Sequence, residues 1–152
     1  MARQCQAVGV HEGYTAAVSP SIEAVRAALT AEPDVRLCVL FGSAARNELE
    51  PRSDLDVAVI GIASSRLGAL EATLARAAGR PVDLVALETA PPLLRFEVAR
   101  DGKVLIERSP YAWSDFRARA MVDWWEWAPL ARRFHRAAID RLRVEGSSHG
   151  QT

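Results

Sequence analysis

The chain has 152 residues, 49% of them apolar, and its 19 basic and 19 acidic residues cancel to a formal net charge of zero. That length and apolar share suffice for one domain with its own core. The neutral balance excludes a global electrostatic draw toward nucleic acid or an anionic membrane, so any basic surface is local. Of the 19 basic residues only Lys103 is lysine, and with alanine abundant throughout, this reads as the mutational bias of a GC-rich bacterial genome. Cys5 and Cys38 have no metal-ligand spacing and read as reduced thiols of a cytosolic protein. The N-terminus lacks an apolar signal region, and no run approaches the ~18 apolar residues of a membrane span, so a cytoplasmic protein is expected.

Residues 1–18 show no sustained periodicity and are expected to be a flexible arm. Ser19 followed by Pro20 predicts a helix start, with Ile22, Val25 and Leu29 on one face. The apolar run Val35 to Phe41 predicts a strand covered on both faces, stopped by Gly42. Ser43 is expected to cap a short helix through Asn47, and Pro51-Arg52-Ser53 to close a loop. A second strand is predicted from Asp54 to Ile60, then a helix capped by Ser64 or Ser65 and ended by Gly79. Val82 to Leu87 reads as a third strand. Thr89 with Pro91 and Pro92 opens a helix that Gly102 ends, and Val104 to Ile106 is a brief strand at a sheet edge. Ser109-Pro110 then opens a long helical segment to about Arg143, in which Pro129 predicts a kink or a break into two helices. This alternation describes an α/β (α+β) fold with one small mixed sheet and flanking helices. The expected organisation is one domain over residues 19–145, with a core at 19–108, C-terminal helices at 109–145 and a disordered tail at 146–152.

The chemistry concentrates between residues 42 and 56. Asp54 and Asp56 stand two apart on a predicted strand, which puts both carboxylates on one face with Cα atoms roughly 6.6 Å apart. Two magnesium ions about 3.5 to 4 Å apart fit between such groups when substrate phosphate completes their coordination. Without a cation or a proton the pair would repel. Asp83, at the start of the neighbouring strand Val-Asp-Leu-Val, can present a third carboxylate to the same face. It could ligate a metal and orient or deprotonate an attacking hydroxyl. Gly42 lets a phosphate approach the backbone, and Ser43 brings a hydroxyl at a helix start. Arg46 either points at phosphate oxygens or pairs with Glu48 or Glu50.

The runs Gly42-Ser43-Ala44-Ala45-Arg46 and Ser53-Asp54-Leu55-Asp56-Val57-Ala58-Val59 resemble the signature of the DNA polymerase β-like nucleotidyltransferase superfamily. More narrowly they resemble the minimal nucleotidyltransferases (MNT) of MNT–HEPN toxin–antitoxin pairs. The resemblance implies the nucleotidyltransferase fold. It implies that Gly42 and Ser43 hold the triphosphate of ATP, that Asp54 and Asp56 bind two Mg²⁺ ions, and that Asp83 is the third acid. It also implies an antitoxin that transfers AMP to a tyrosine of a HEPN ribonuclease toxin encoded nearby. Asn47 departs from the pattern, since many relatives carry glycine after the motif arginine.

Outside this stretch, Trp124 and Trp127 share a helix face while Trp125 is turned by about 100°, so one face packs the domain and the other is core-related or meets a partner. Seven arginines against four acids between Tyr111 and Arg143, with Arg132, Arg133 and Arg136 clustered, read first as a solvated face. His11, His135 and His149 take no role. Two other functions compete: nucleotidylation of a small hydroxylated antibiotic of the aminoglycoside type, and a non-catalytic antitoxin acting by binding alone. A homodimer or hetero-oligomer is compatible with each, and no membrane or direct nucleic-acid contact is expected.

Overall fold

The computed structural model describes residues 19–147, with individual side chains described to residue 137. The expected N-terminal arm, Cys5, His11 and most of the expected tail, including His149, lie outside these residues. The described elements are α1 (Pro20–Thr30), β1 (Leu37–Phe41), α2 (Gly42–Ala45), β2 (Leu55–Ile60), α3 (Ser64–Ala78), β3 (Val82–Ala86), α4 (Pro92–Asp101), β4 (Lys103–Glu107) and α5 (Ala112–Ser147).

The strands form one mixed sheet in the order β3-β2-β1-β4, which puts the brief strand β4 at an edge. β1 runs antiparallel to β2 and to β4, and β2 runs parallel to β3. Every residue of β1 is buried, as a central strand covered on both faces requires. Strand alternation then divides the apolar residues between two layers. Cys38, Leu40, Leu55, Val57, Val59, Val82 and Leu84 pack with Ile22, Val25 and Leu29 of α1 and Leu70 and Leu74 of α3. Leu37, Val39, Phe41 and Ala58 pack on the other face with Val98 and Ala99 of α4 and Phe116 and Ala120 of α5. Full burial of one such Leu or Phe side chain contributes about 1.5–3 kcal/mol, so both layers hold the sheet.

Helix boundaries follow backbone logic more than side-chain capping. Ser19 occupies the cap of α1 without a side-chain hydrogen bond; its carbonyl instead accepts from the Ile22 and Glu23 amides. α3 is capped by Ala63, so neither Ser64 nor Ser65 is the cap, and Gly79 closes the helix in the left-handed conformation at φ 66°. α2 starts at Gly42 with Phe41 as cap, which places Ser43 inside the first turn, and it ends at Ala45, short of Asn47. β2 begins at Leu55, so Asp54 stands just ahead of it.

Of the kink or break expected at Pro129, the break does not occur, since α5 continues through it to Ser147 and takes in the first two residues of the expected tail. Pro129 is exposed and Trp125, whose carbonyl loses its partner there, is 74% exposed. Water can satisfy that carbonyl, which lowers the cost of an interior proline. The tryptophans divide as their spacing predicts. Phe96 of α4 stacks on Trp124 at 4.9 Å and Trp124 meets Trp127 at 5.5 Å, while Trp125 faces outward.

Candidate active site

The parallel pairing of β2 with β3 sets Asp56 directly beside Asp83, and strands so paired lie about 4.8 Å apart. Asp54 precedes Asp56 by two residues at the same end of the sheet, so the three acids predicted from sequence come together on the α4/α5 face. Asp56 is half-buried, whereas Asp54 and Asp83 are exposed. The Asp56 carboxyl is pushed above the ordinary carboxylate range, first by burial and then by the negative charges of Asp83 and Asp54, with Arg46 acting in the opposite sense. Among the described residues no three acidic, histidine or cysteine side chains close around a single ion. The acids form an open tray of hard oxygen donors, and such a site leaves coordination positions for phosphate oxygens and water, the arrangement magnesium favours.

Phe41 is the cross-strand partner of Asp56, so the turn at Gly42 abuts the acid. Gly42 has φ 65°, and a Cβ built on it would fall 2.0 Å from Asp56 Oδ2. Only glycine satisfies both the left-handed backbone and this close approach. The Gly-Ser turn and the Asp-x-Asp strand thus meet in space as well as in sequence. Of the two readings of Arg46, pairing is the one present: its Nε donates to Glu48 Oε2 at 2.9 Å. Its charge still reaches Asp56 and also Asp101 at the end of α4, whose carboxyl lies below its usual range chiefly through Arg100 and in smaller part through Arg46.

Asn47, the departure from the family pattern, has φ 61°. It therefore adopts the conformation that glycine adopts most readily and that asparagine tolerates best among the other residues. Its side-chain carbonyl accepts from Lys103 Nζ at 3.2 Å, which ties the chain's single lysine to the rim of the tray. Arg80 was missed by motif reading. Its NH2 donates to the Glu50 carbonyl at 2.7 Å and to the Ser53 carbonyl, fastening the loop that delivers Asp54. No local sequence signal identifies a contact made across 27 to 30 residues.

A cavity of about 470 Å³ lies at the other end of the sheet, between Arg36, Ile60, Glu88, Arg95 and Phe116. Ile60 is four residues along β2 from Asp56, a distance of about 13 Å. None of the three acids lines it. Of its lining charges, Arg36 pairs with Glu88 at 3.8 Å and Arg95 pairs with Asp123, outside the cavity, at 2.6 Å.

A mixed sheet with an acid pair and a third acid on one face, and a glycine turn pressed against them, defines a nucleotidyltransferase. The chain belongs to the family described as Polymerase beta, Nucleotidyltransferase, which it matches over residues 23–111. No curated protein sequence matches it significantly. Among solved structures it is similar to a chain of a toxin–antitoxin crystal structure with AMP-PNP, with 25% identity and a TM-score of 0.64 over 80% of this chain and 97% of that one. It is similar to a chain of the toxin–antitoxin MntA–HpeT in a mutant form, with 26% identity and a TM-score of 0.59 over 80% and 94%. It is also similar, with 25% identity and a TM-score of 0.55 over 80% and 92%, to a chain of a tri-AMPylated Shewanella oneidensis HEPN toxin in complex with MNT antitoxin. Its structural relatives within the family are thus the MNT antitoxins. Among the described residues no helix is long and apolar enough to cross a membrane.

Proposed function

We propose that the protein is an MNT antitoxin that adenylylates a tyrosine hydroxyl of a HEPN-type toxin, using ATP and two Mg²⁺ ions. The observation that carries this reading is the convergence of Asp54, Asp56 and Asp83 beside the Gly42 turn. The similarity to toxin–antitoxin chains bound to AMP-PNP and to an AMPylated toxin supports the donor and the acceptor. The donor set fits magnesium: three carboxylates and no sulfur or imidazole, with the charged form of Asp56 disfavoured first by burial and then by its neighbours' charge until a cation relieves it. Bound there, the metal would neutralise charge that develops on the attacking and leaving oxygens.

The chain's own groups then divide the work. Asp54, Asp56 and Asp83 hold the cations, and Gly42 and Ser43 bring backbone and hydroxyl to the triphosphate. Arg46 exchanges Glu48 for a phosphate oxygen. The tyrosine oxygen bonds to the α-phosphorus as the bond from that phosphorus to the bridging oxygen breaks. Pyrophosphate leaves with the electron pair, and Asp83 takes the hydroxyl proton.

An antibiotic acceptor is the weaker reading, because the 470 Å³ cavity is at the end of the sheet remote from the acids and the tray itself is open, as docking of a large acceptor requires. Incubation with Mg²⁺ and labelled ATP, against either a co-expressed HEPN partner or an aminoglycoside panel, separates the two. Label is expected on the partner, and label only on an aminoglycoside would overturn the proposal.

A further inference from the structure

Of the three acids, Asp54 is the one the sheet does not hold. The parallel ladder sets Asp56 against Asp83, whereas β2 begins only at Leu55. Asp54 therefore ends a largely exposed loop and is itself exposed. Left to itself, such a segment opens at low free energy. A carboxylate that wanders serves magnesium poorly, because this ion demands near-ideal octahedral geometry at about 2.0–2.1 Å.

What fixes Asp54 comes from the chain that leads into the strand of Asp83. Arg80 NH2 donates to the Glu50 carbonyl at 2.7 Å and to the Ser53 carbonyl. The next residue, Pro81, accepts from the Leu55 amide at 3.0 Å. Both chain neighbours of Asp54 are thus tied to the dipeptide Arg80-Pro81, and Asp83 follows it by two residues. The loop is also closed on itself, through the Ser53 amide to the Glu50 carbonyl at 3.1 Å and the Glu50 amide to Ser53 Oγ at 3.3 Å. The arginine bonds therefore hold Glu50 and Ser53 as one body. Among the described residues the Arg80 side chain has no carboxylate partner and no other acceptor, and its Nε is buried unpaired. Its own place is set by Gly79, whose left-handed turn ends α3, and by its amide on the Ala75 carbonyl at 3.3 Å.

We propose that Arg80 is a positioning residue: through Ser53 and Glu50 it sets the gap between Asp54 and Asp83, and with it the fit of the tray to magnesium. This rests on the metal set of the function proposed above, and not on its acceptor. In this role Arg80 touches neither metal nor nucleotide; it acts through the backbone of the residue before Asp54. Groups that hold a metal ligand from behind typically account for about 10–100-fold in metal affinity. The loss falls unequally on different ions, since calcium accepts looser geometry at about 2.3–2.6 Å.

The test titrates Mg²⁺ and Ca²⁺ by calorimetry into the full chain bound to an ATP analogue with a methylene α,β bridge, which cannot donate AMP. Arg80→Met keeps the apolar stem and removes the donors. It is expected to weaken Mg²⁺ binding at least about 10-fold and Ca²⁺ binding by no more than about 3-fold. Amide exchange should quicken at Ser53 and Leu55 and stay unchanged in β1. Arg80→Lys, which keeps a cationic donor without the planar fork, should show the same order of effects at smaller size, and it decides the question if the methionine variant does not fold. Unchanged Mg²⁺ affinity, or an equal loss for both ions, would overturn the proposal. So would wild-type exchange at Ser53 and Leu55, which would leave only the charge of the arginine, or faster exchange throughout the sheet, which marks general destabilisation. A wild type that binds Mg²⁺ with the analogue but transfers no AMP from ATP to a HEPN partner would overturn the proposed function and leave the clasp standing. A wild type that binds no Mg²⁺ would overturn both.

Discussion

Asp56 carries the tension of the site. Burial and two neighbouring carboxylates raise its pKa, so the folded state holds its proton more tightly than the unfolded chain does. Its contribution therefore favours folding below the unfolded carboxylate range and is lost as pH rises through the raised folded value. In metal-free protein the thermal midpoint should fall across that window, and Asp56→Asn should remove this part of the fall and raise the midpoint at neutral pH. The same variant should lose Mg²⁺-dependent transfer, as measured with labelled ATP; retained transfer would remove Asp56 from the metal set. Gly42→Ala tests the neighbouring contact. Its left-handed backbone costs about 1–2 kcal/mol for a residue with a Cβ, and that Cβ also meets the Asp56 carboxylate. Denaturant titration should show at least this loss, accompanied by a fall in kcat. That Asp54, Asp56 and Asp83 share one sheet face was legible in the sequence, because residues two apart on a strand point the same way and the next strand opens with an acid, whereas the contact of Gly42 with Asp56 came from the fold. What Arg46 touches was not legible either: a charged side chain with two partners in reach leaves no periodic signal, and its pairing with Glu48 emerged only from the fold.

At the scale of elements, the strands were the most legible, since apolar runs bounded by Gly and Pro leave few alternatives. Helix starts were less so. Ser43, Ser64 and Ser65 carry the composition of caps, but the backbone begins α2 and α3 at residues that hydrogen-bond without them. Of the kink or break that Pro129 offered, the break does not occur, because the cost of an interior proline depends on whether water reaches the orphaned carbonyl, which sequence does not reveal. The loop from Asn47 to Ser53 depends on long-range ties. Loss of the two Arg80 bonds in Arg80→Ala should cost about 1.5–3 kcal/mol each at most, as bonds from a charged donor do. It should also lower kcat/KM for ATP through the position of Asp54, a change that steady-state kinetics would detect. Wild-type kinetics in this variant would make the Arg80 clasp purely structural. The left-handed conformation of Asn47 explains how the chain keeps the turn without the family's glycine, and Asn47→Gly should accordingly change stability by no more than a few tenths of a kcal/mol to about 1 kcal/mol.

For the whole molecule, the two apolar layers enclose Cys38 completely, and burial pushes its thiol up to about 12. A buried neutral thiol is a poor nucleophile, so Cys38 reports global opening. In a Cys5→Ser variant, a thiol-reactive probe should label Cys38 in the native protein only at the rate of unfolding, and labelling at the rate of a free thiol would show that the α1/α3 layer opens locally. The same architecture leaves the three acids, the proposed site of donor chemistry, on an open face near the Asp101 end of α4, which suits the large acceptor of the proposed function. The most direct measurement is the intact mass of the HEPN partner after co-expression with this chain. The account predicts a gain of one or more AMP groups on tyrosine, absent when Asp54→Ala and Asp56→Ala are combined. An unmodified partner beside the wild-type chain, with the cells still protected from the toxin, would contradict it and identify an antitoxin that acts by binding alone.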